Sequence, residues 1–515
     1  MPASDASPRR YRFGPLERRG LVAGWRGGQI GAVAAALVMA VGVLRAWASP
    51  VGVVLALAAL AVGVGIATWP IAGRTAEEWA PDALRHTIAL GRRPRGRTSP
   101  FAGVHLIRVD LSVPRAGRAG PGPAHSSTPL SGGHLVDDRR SAGVLHDRSR
   151  RTFTAVLEAS SPGFVLLGED DKASRVSAWS GVLASLARQG SSVYRAQWVE
   201  RVVHTDEIRG AARLRAGEEG VGHDAARASY DALLEAESDA SLRHEVFLAL
   251  TIHAGRTGRA VKAAGGGDVG ACAVLLREVA ALRRRLADAS VDVGAVLTPD
   301  ALAGVLRGAY DDRRRPHGTP RWLHRSRAAS WPQGRVSAPV SSEESGPWPM
   351  GVETHWSRLR VDGTWHATYW VAEWPRTDVG PDFLGPLLLS SEVRRTVSVV
   401  LEPVGPLEAS RKVEQARTAD IADAELRRRG GFLATARRRR EEEILVRREV
   451  ELADGHAQYR FSGYVTVSAA EPDLLEEACG RVEQAAGQAG LELRRCYGDQ
   501  ANAFLCTLPL GRGLS

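Results

Sequence analysis

The sequence predicts a membrane-anchored α+β protein. It indicates an N-terminal hairpin of two transmembrane helices, then cytoplasmic α/β layers with mixed or antiparallel sheets and a long charged helical segment. Three observations carry this prediction: two adjacent apolar runs near the N terminus, arginines concentrated on their flanks, and alternating strand-like and helix-like periodicities over the remaining chain. The length of 515 residues indicates several structural units, and 44% hydrophobic with 24% charged residues excludes wholesale disorder and collagen-like repeats.

The basic charge of the chain does not by itself indicate a nucleic-acid partner. The formal net charge is +10, yet all but three of the 68 basic residues are arginines. Alanine and glycine are abundant as well, a bias typical of GC-rich coding. The four cysteines are too few and too scattered for a disulfide framework, and no C-x-x-C pair offers a zinc site.

The two apolar runs predict transmembrane helices at 29–46 and 51–69. The link between them is short and ends at Pro50, which favours an antiparallel hairpin. A cleaved signal peptide and a buried soluble hairpin are the alternatives. The second run follows the first at once, and neither run has a polar stripe, so both alternatives are disfavoured.

Arginine placement predicts the orientation of this hairpin. Arginines precede the first run and follow the second, whereas the turn contains only Arg45. The positive-inside rule then places both termini in the cytoplasm of a multi-pass protein of the cell membrane, with anionic lipids of the inner leaflet as partners. The predicted membrane-interface anchors are Arg18, Arg19, Trp25, Arg26, Trp47, Trp69 and Arg74.

Composition divides the chain into six regions. They are a basic cytoplasmic leader (1–28), the transmembrane hairpin (29–70), a juxtamembrane segment and flexible linker (71–151), a first cytoplasmic α/β domain (152–310), a flexible basic loop (311–347) and a second cytoplasmic α/β domain (348–515). In the basic loop, arginines alternate with Trp322 and Trp331, a pattern that can bind nucleic acid. A solvated loop is the favoured interpretation.

The first α/β domain alternates short apolar runs with amphipathic stretches. Strands are predicted at 152–158, 163–167, 192–204 and 244–252, and helices at 174–188, 224–238, 269–289 and from 298 to 310. The 152–204 part predicts a compact β-β-α-β layer with its helices on one face of a sheet.

The second α/β domain begins with a predicted hairpin, whose strands at 355–361 and 364–371 flank an Asp362-Gly363 turn. A strand at 396–402 precedes a long charged helix at 407–446, broken at Gly430-Gly431. The remaining elements are a strand at 459–468, a helix at 472–489 and a strand at 491–496. This last β-α-β order echoes the first domain.

Motifs of catalysis are missing from the sequence. Gly255-Arg-Thr-Gly-Arg259 lacks the spacing and the Lys-Ser/Thr pair of a phosphate-binding P-loop, and neither a G-x-S-x-G elbow nor H-E-x-x-H occurs. Cys479 and Cys496 fall on a predicted helix and strand and are interpreted as small buried hydrophobic residues. We therefore predict a protein that is not an enzyme, with no catalytic residue, cofactor or metal site.

Two segments carry a resemblance to a known family. The opening contains Tyr11-Arg-Phe-Gly-Pro-Leu-Glu-Arg-Arg-Gly20 and Trp25-Arg-Gly-Gly-Gln29; the closing run contains Leu491-Glu-Leu-Arg-Arg, Asp499-Gln500-Ala501-Asn-Ala503-Phe504 and Leu508-Pro509-Leu510-Gly511. The chain resembles actinobacterial proteins with the EccE-type domain of type VII secretion, in the branch associated with conjugation-like gene clusters. Its hairpin is similar to the two-span PrgI-type subunit. Its remaining part resembles the N-terminal, non-motor half of the conjugative TraC-type ATPase.

The resemblance implies a non-catalytic, membrane-anchored scaffold subunit of a type VII or type IV-like secretion or conjugative transfer apparatus. A separate P-loop transport ATPase would dock at its cytoplasmic face, because a similar closing run leads into the motor in the conjugative enzymes. Other membrane subunits would be further partners, in an oligomer within a larger complex. The motor-docking candidates are Asp499, Gln500, Phe504, Leu508, Pro509, Leu510 and Gly511.

Two other functions stay open at this point. A component of protein export differs from one of DNA transfer in its transported substrate, which the sequence does not specify. A membrane-tethered nucleic-acid-binding protein of a DNA-transfer system would use the 311–347 loop, and its binding would weaken with salt.

Overall fold

The computed structural model describes residues 11, 13, 27–47, 49–68, 83–84, 87, 100–111, 141–160, 164–204, 242–310, 341–342, 347–389, 393–429 and 436–513. Most of the basic loop, most of the leader and the predicted helix at 224–238 lie outside these residues. The helices are α1 (Gly27–Ala46), α2 (Pro50–Thr68), α3 (Glu169–Leu186), α4 (Gly258–Ala263), α5 (Gly267–Asp288), α6 (Pro299–Tyr310), α7 (Gly385–Leu389), α8 (Pro406–Arg429), α9 (Ala436–Ala453), α10 (Pro472–Gln488) and α11 (Gln500–Leu505).

The strands form one sheet. They are β1 (Val104–Asp110), β2 (Ser141–Asp147), β3 (Thr152–Ser160), β4 (Val193–His204), β5 (Leu242–His253), β6 (Asp292–Val296), β7 (Ser341–Ser342), β8 (Val352–Thr354), β9 (Leu359–Val361), β10 (Thr364–Glu373), β11 (Arg395–Val404), β12 (Gln458–Ala469) and β13 (Glu492–Arg495). Their order is β7-β1-β2-β3-β5-β4-β11-β12-β10-β9-β8, with β6 beside β3 and β13 beside β10. Every recorded strand pairing is antiparallel.

The two predicted α/β domains are continuous through the centre of this sheet. Strand β4 of the first pairs with β11 of the second, from Arg395 opposite Val202 to Leu401 opposite Ala196. A long antiparallel pair saturates the backbone donors and acceptors on the inner edges of both halves. The predicted separate layers are therefore one large antiparallel sheet.

The two halves repeat the same element order on either side of the β4–β11 pair. Each half has a hairpin (β2–β3 or β9–β10), a helix, two long strands (β4–β5 or β11–β12), another helix, a short strand beside the hairpin, and a final helix. Equivalent threonine pairs occupy equivalent positions, since Thr154 lies opposite Thr251 and Thr368 lies opposite Thr466. Their hydroxyl oxygens are 2.9 Å and 2.8 Å apart. The similarity in element order predicted for the two domains therefore extends to individual residue pairs.

Helices cover the two faces of the sheet differently. On one face, α5 buries Cys272, Leu275, Val279 and Leu282 at helical spacing against the first half, and α10 does the same for the second half. The opposite face carries α6 and α11, where Leu302, Leu306, Phe504 and Leu505 form a core with strand residues. This second face holds the closing segment of the chain.

Local signals explain several element boundaries. Thr298 lies before α6, and its Oγ1 accepts a hydrogen bond from the Ala301 N–H at 3.3 Å, while Pro299 opens the helix. The Asp362-Gly363 turn joins β9 to β10 as predicted, with φ of 48° and 118°. The predicted strand at 163–167 is instead a single 3₁₀ turn, Phe164–Leu166, because the exposed Leu166 has no sheet face to cover.

Helices α1 and α2 form the predicted hairpin and pack on each other through small residues, including Ala36, Ala40 and Ala56. In the part of the chain that the structure describes, no helix combines the length with the apolar character that crossing a bilayer requires. The uninterrupted apolar stretch of α1 runs only from Ile30 to Leu44, and that of α2 lies between Pro50 and Thr68. The stretch in α1 is shorter than the range of about 17–25 residues that spans a bilayer, and the stretch in α2 is at the lower end of that range.

This finding corrects three predictions. The transmembrane segments at 29–46 and 51–69 are wrong, and so are the multi-pass location in the cell membrane and the membrane-anchored fold class. The fold is α/β, dominated by the antiparallel sheet. Of the predicted interface anchors, only Trp47 is described, exposed between α1 and α2. Arg18, Arg19, Trp25, Arg26, Trp69 and Arg74 lie outside the described residues.

The predicted long helix at 407–446 is a pair of helices, α8 and α9, that pack on each other. This two-helix arm (406–453) is inserted between β11 and β12, whose ends still pair at Val404 and Gln458. Ala409, Val413 and Ala416 of α8 are buried, whereas Ile421 of α8 and Val446 and Val450 of α9 are exposed. The described part of the arm is therefore buried where α8 leaves β11 and exposes apolar side chains on both of its helices.

Candidate functional site

The predicted motor-docking residues lie in a closing segment, residues 499–513, that crosses the second face of the sheet. It begins with the short helix α11 and continues as an irregular chain from Cys506 to Gly513. Gln500, Phe504, Leu508, Pro509, Leu510 and Gly511 are buried, and Asp499 is half-buried. An irregular buried chain needs side-chain partners for its backbone groups, because no strand or helix supplies them.

Gln197 on β4 supplies several of these partners. Its Nε2 donates to the carbonyl oxygens of Cys506 and Leu508, each at 2.9 Å, and its Oε1 accepts from the Gly511 N–H at 2.8 Å. Ser398, on the neighbouring β11, adds a bond from its hydroxyl to the Cys506 carbonyl at 2.9 Å. The central strand pair therefore holds the closing segment from both halves of the sheet.

The two threonine pairs add contacts to the closing segment on either side of the β4–β11 pair. Thr154 donates to the Leu510 carbonyl at 3.4 Å, and Thr466 lies 2.9 Å from the hydroxyl oxygen of Thr507. Gly511 sits over Thr251 with φ of +65°, so closely that a Cβ there would lie 2.1 Å from the Thr251 hydroxyl oxygen. Only glycine fits both this backbone conformation and this approach.

Gln500 fixes the beginning of the segment to the second half of the sheet. Its Oε1 accepts from the Thr368 N–H at 2.8 Å, and its Nε2 donates to the carbonyl oxygens of Thr368 and Cys496 at 3.2 and 2.9 Å. Gln500, one of the residues that carry the resemblance, therefore attaches the closing segment to the second half of the sheet.

A buried ion pair fixes the other end to the first half. Arg512 donates from Nη2 and Nε to Asp147 Oδ2, at 2.7 and 3.0 Å, and the two side chains are 9% and 6% exposed. Burial of the Asp147 carboxyl raises its pKa, but the hydrogen bond from Ser149 and the Arg512 guanidinium outweigh burial, so the pKa is lowered overall.

These contacts place the predicted docking residues in the interior. Within the closing segment, Asn502 is exposed, and Asp499 accepts a hydrogen bond from its Nδ2 at 2.6 Å. A role of the segment in motor docking stays a prediction. Its observed task is to join the two halves of the sheet.

One pair beneath the segment has the distance of a catalytic dyad. His366 Nδ1 lies 2.8 Å from Ser468 Oγ, which is the first requirement of a histidine-activated nucleophile. Both residues are buried, and the Phe504 ring covers His366 with 4.7 Å between ring centroids. Burial holds the pKa of His366 well below its usual value, so the ring is neutral. A substrate has no access to this pair while the closing segment is in place.

Other reactive groups are similarly enclosed. Burial raises the pKa of the Cys272 thiol to about 12, and it also raises the pKa of Cys479. In the ranges that the structure describes, no three His, Cys, Asp or Glu side chains are placed to hold a metal ion.

No protein-family model matches the chain, and no curated protein matches it either. The comparisons therefore give no support to a role in secretion or conjugation. The predicted transmembrane helices are overturned, because no helix in the described residues can span a membrane. The family resemblance stays a prediction.

Sequence reasoning missed Gln197, Thr154, Thr251, Asp147 and Arg512. A signal was present on β4, where Arg195, Gln197 and Arg201 occupy one face of a strand that is central in the sheet. Polar residues at buried, alternating positions need polar partners, and for Gln197 these are mainly backbone groups of the closing segment.

Proposed function

We propose that the chain is a non-catalytic scaffold subunit of a larger assembly and that it docks a separate P-loop transport ATPase. The two-helix arm carries this proposal, because it is inserted between two central strands and exposes Ile421, Val446 and Val450. Exposed apolar side chains on a helical pair favour contact with a partner protein.

The arm has the charge pattern of a surface helix around those apolar residues. Arg417 of α8 forms an ion pair with Glu449 of α9, and Arg447 pairs with Glu451 at 2.9 Å. Exposed pairs of this kind contribute little stability but define which partner charges fit. The identity of the partner as a P-loop ATPase rests on the family resemblance.

The closing segment supports a scaffold role in another way. Its contacts to Gln197, Gln500 and Asp147 join both halves of the sheet into one body. A body joined in this way can transmit load between a docked motor and other subunits. The buried polar groups serve this joining.

The decisive experiment removes the arm and keeps the sheet. Because Val404 pairs with Gln458, residues 405–457 can be replaced by an Asn-Gly turn that closes β11 and β12 as a hairpin. We expect the full chain to co-purify from its native cells with a protein that contains G-x-x-x-x-G-K-[ST], identified by mass spectrometry. The arm-less variant should lose this protein and keep its circular dichroism spectrum, corrected for two helices.

Point variants separate contact from folding. Val446→Asp combined with Val450→Asp should lower ATPase recovery, while the control Arg481→Ala, in an exposed arginine–glutamate pair on α10 outside the arm, should not. Undiminished recovery with the arm-less variant, or no P-loop ATPase among the proteins recovered with the full chain, would overturn the proposal.

A further inference from the structure

Three arginines converge on one buried carboxylate at an end of the sheet. Arg195 Nε donates to Glu402 Oε2 at 3.0 Å, and Arg256 Nη1 lies 3.7 Å from Glu402 Oε1. Arg460 also donates to Oε1 through its Nη2. Among the described residues of this cluster, three guanidinium groups face one carboxylate, so the cluster carries two positive charges more than Glu402 balances.

Two of these arginines face solvent. Arg256 is 61% and Arg460 57% exposed, whereas Glu402 is 3% exposed. Because both contact the same oxygen of Glu402, their guanidinium groups lie close enough to hold one small anion between them. Glu402 occupies the inner side of this cluster and leaves the outer side open.

The fold positions the cluster through the ends of four strands. Because neighbouring strands are antiparallel, β4 and β12 start at the same end of the sheet at which β5 and β11 finish. The turn after β5 is fastened to His253, whose Nδ1 accepts from the Gly255 N–H at 3.0 Å. This turn places Arg256 over the Tyr194 ring, 4.6 Å from its centroid.

The surroundings of the cluster are electropositive. Burial lowers the pKa of His253, and Arg256, Arg151 and Arg195 lower it further. The nearby Lys412 and Glu408 pair with each other at 2.6 Å and add no net charge. An anion arriving here would meet a positive field from several directions.

We propose that Arg256 and Arg460, backed by Arg195, form a binding site for a phosphate monoester dianion or free inorganic phosphate. Guanidinium groups present planar pairs of N–H donors that match phosphate oxygens. A phosphate monoester carries about two negative charges at pH 7, which balances the uncompensated charge of the cluster. A carboxylate, with one charge, would balance only half of it.

The geometry also predicts which phosphate compounds the site binds most tightly. Arg195 and Arg256 both lie 4.6 Å from the Tyr194 ring centroid, so guanidinium groups take the positions where a base would stack. A nucleoside monophosphate should therefore bind no more tightly than inorganic phosphate. A phosphodiester carries a single charge, so an oligonucleotide without terminal phosphate should bind more weakly per phosphate. The site does not depend on ATPase docking.

Calorimetric titration of the full chain with inorganic phosphate, in chloride buffer at pH 7.5, tests the site. We expect saturable binding whose affinity Arg256→Ala and Arg460→Ala each lower about tenfold. The affinity of Arg256→Lys should lie between that of the alanine variants and that of the wild type. Arg447→Ala is the matched control, an exposed arginine paired with one glutamate, and should bind as the wild type does. Thermal unfolding verifies that each variant is folded.

The same titration with adenosine monophosphate and with an unphosphorylated oligonucleotide distinguishes the sources. Equal affinity for phosphate and the nucleotide supports the site as stated, and tighter nucleotide binding would show that the base is recognised and overturn it. The proposal also fails if phosphate does not saturate, if the Arg447 control weakens binding equally, or if the oligonucleotide binds as tightly per phosphate.

Discussion

Arg512 donates two hydrogen bonds to one oxygen of Asp147, 365 positions earlier in the chain. This pair ties the end of the closing segment to β2, near one margin of the sheet. At the start of the same segment, Gln500 accepts a hydrogen bond from the Thr368 N–H on the second half of the sheet. The two halves are therefore joined by side-chain contacts in addition to the β4–β11 pairing.

Removing one partner of this ion pair should destabilise the protein strongly. Arg512→Ala leaves the Asp147 carboxylate buried without its cation, and we expect a loss of about 3 kcal/mol in the free energy of unfolding. Urea unfolding at pH 7 measures it. Arg512→Ala combined with Asp147→Ala should cost less than the sum of the two single changes. Additivity would contradict a direct pair.

The pair should also make stability depend on pH. The pKa of Asp147 is lower in the folded state than in the unfolded chain. Its contribution is therefore present above the unfolded pKa and is lost as the pH falls through the folded value. We expect the difference in unfolding free energy between wild type and Asp147→Asn to shrink below about pH 4. A difference that stays constant from pH 7 to pH 3 would refute this assignment.

Gln197→Ala should weaken the attachment of the closing segment to the sheet. The substitution removes bonds to three backbone groups of that segment, each contributing about 1 kcal/mol. We expect a loss of about 3 kcal/mol in urea unfolding and faster proteolysis near the C terminus. The exposed Gln484 on α10 is the control, and Gln484→Ala should change stability by less than about 0.5 kcal/mol. Equal effects of the two changes would remove Gln197 from this role.

Gly511→Ala should be more harmful than an alanine substitution in open space. The new Cβ would meet the Thr251 hydroxyl at 2.1 Å and would strain a backbone with φ of +65°. We expect a lower thermal midpoint, with Thr251→Ala giving partial rescue. Gly304, inside α6 with open space around it, is the matched control; Gly304→Ala should be neutral or stabilising. Lack of any rescue would mean that backbone strain alone accounts for the loss.

Cys272 should resist thiol reagents in the folded protein. Its thiol is fully buried in α5, and burial raises its pKa to about 12, so little thiolate exists at pH 8. Mass spectrometry after brief iodoacetamide treatment should find Cys272 unmodified, and unfolding in urea should expose it. Rapid native labelling would show that α5 opens far more readily than its packing indicates.

The order and type of many elements follow from the sequence alone. Helix α10 was predicted at 472–489 and forms at Pro472–Gln488, and the Asp362-Gly363 turn joins β9 to β10. These elements depend on local periodicity and turn chemistry, which act over a few residues. The predicted membrane spans were wrong because apolar character alone does not set whether a helix meets the length that crossing requires.

The amino-acid sequence by itself determined the periodic helices and strands, the tight turn and the apolar hairpin, since each arises from contacts between near neighbours in the chain. Tertiary structure alone decided that β4 pairs with β11 and that Gln197 lies beneath Leu508. It also brought Arg195, Arg256 and Arg460 to Glu402. Such contacts join residues that are from 58 to 311 positions apart in the chain. Their partners are chosen by burial and hydrogen-bond satisfaction across the whole sheet, which no local pattern specifies.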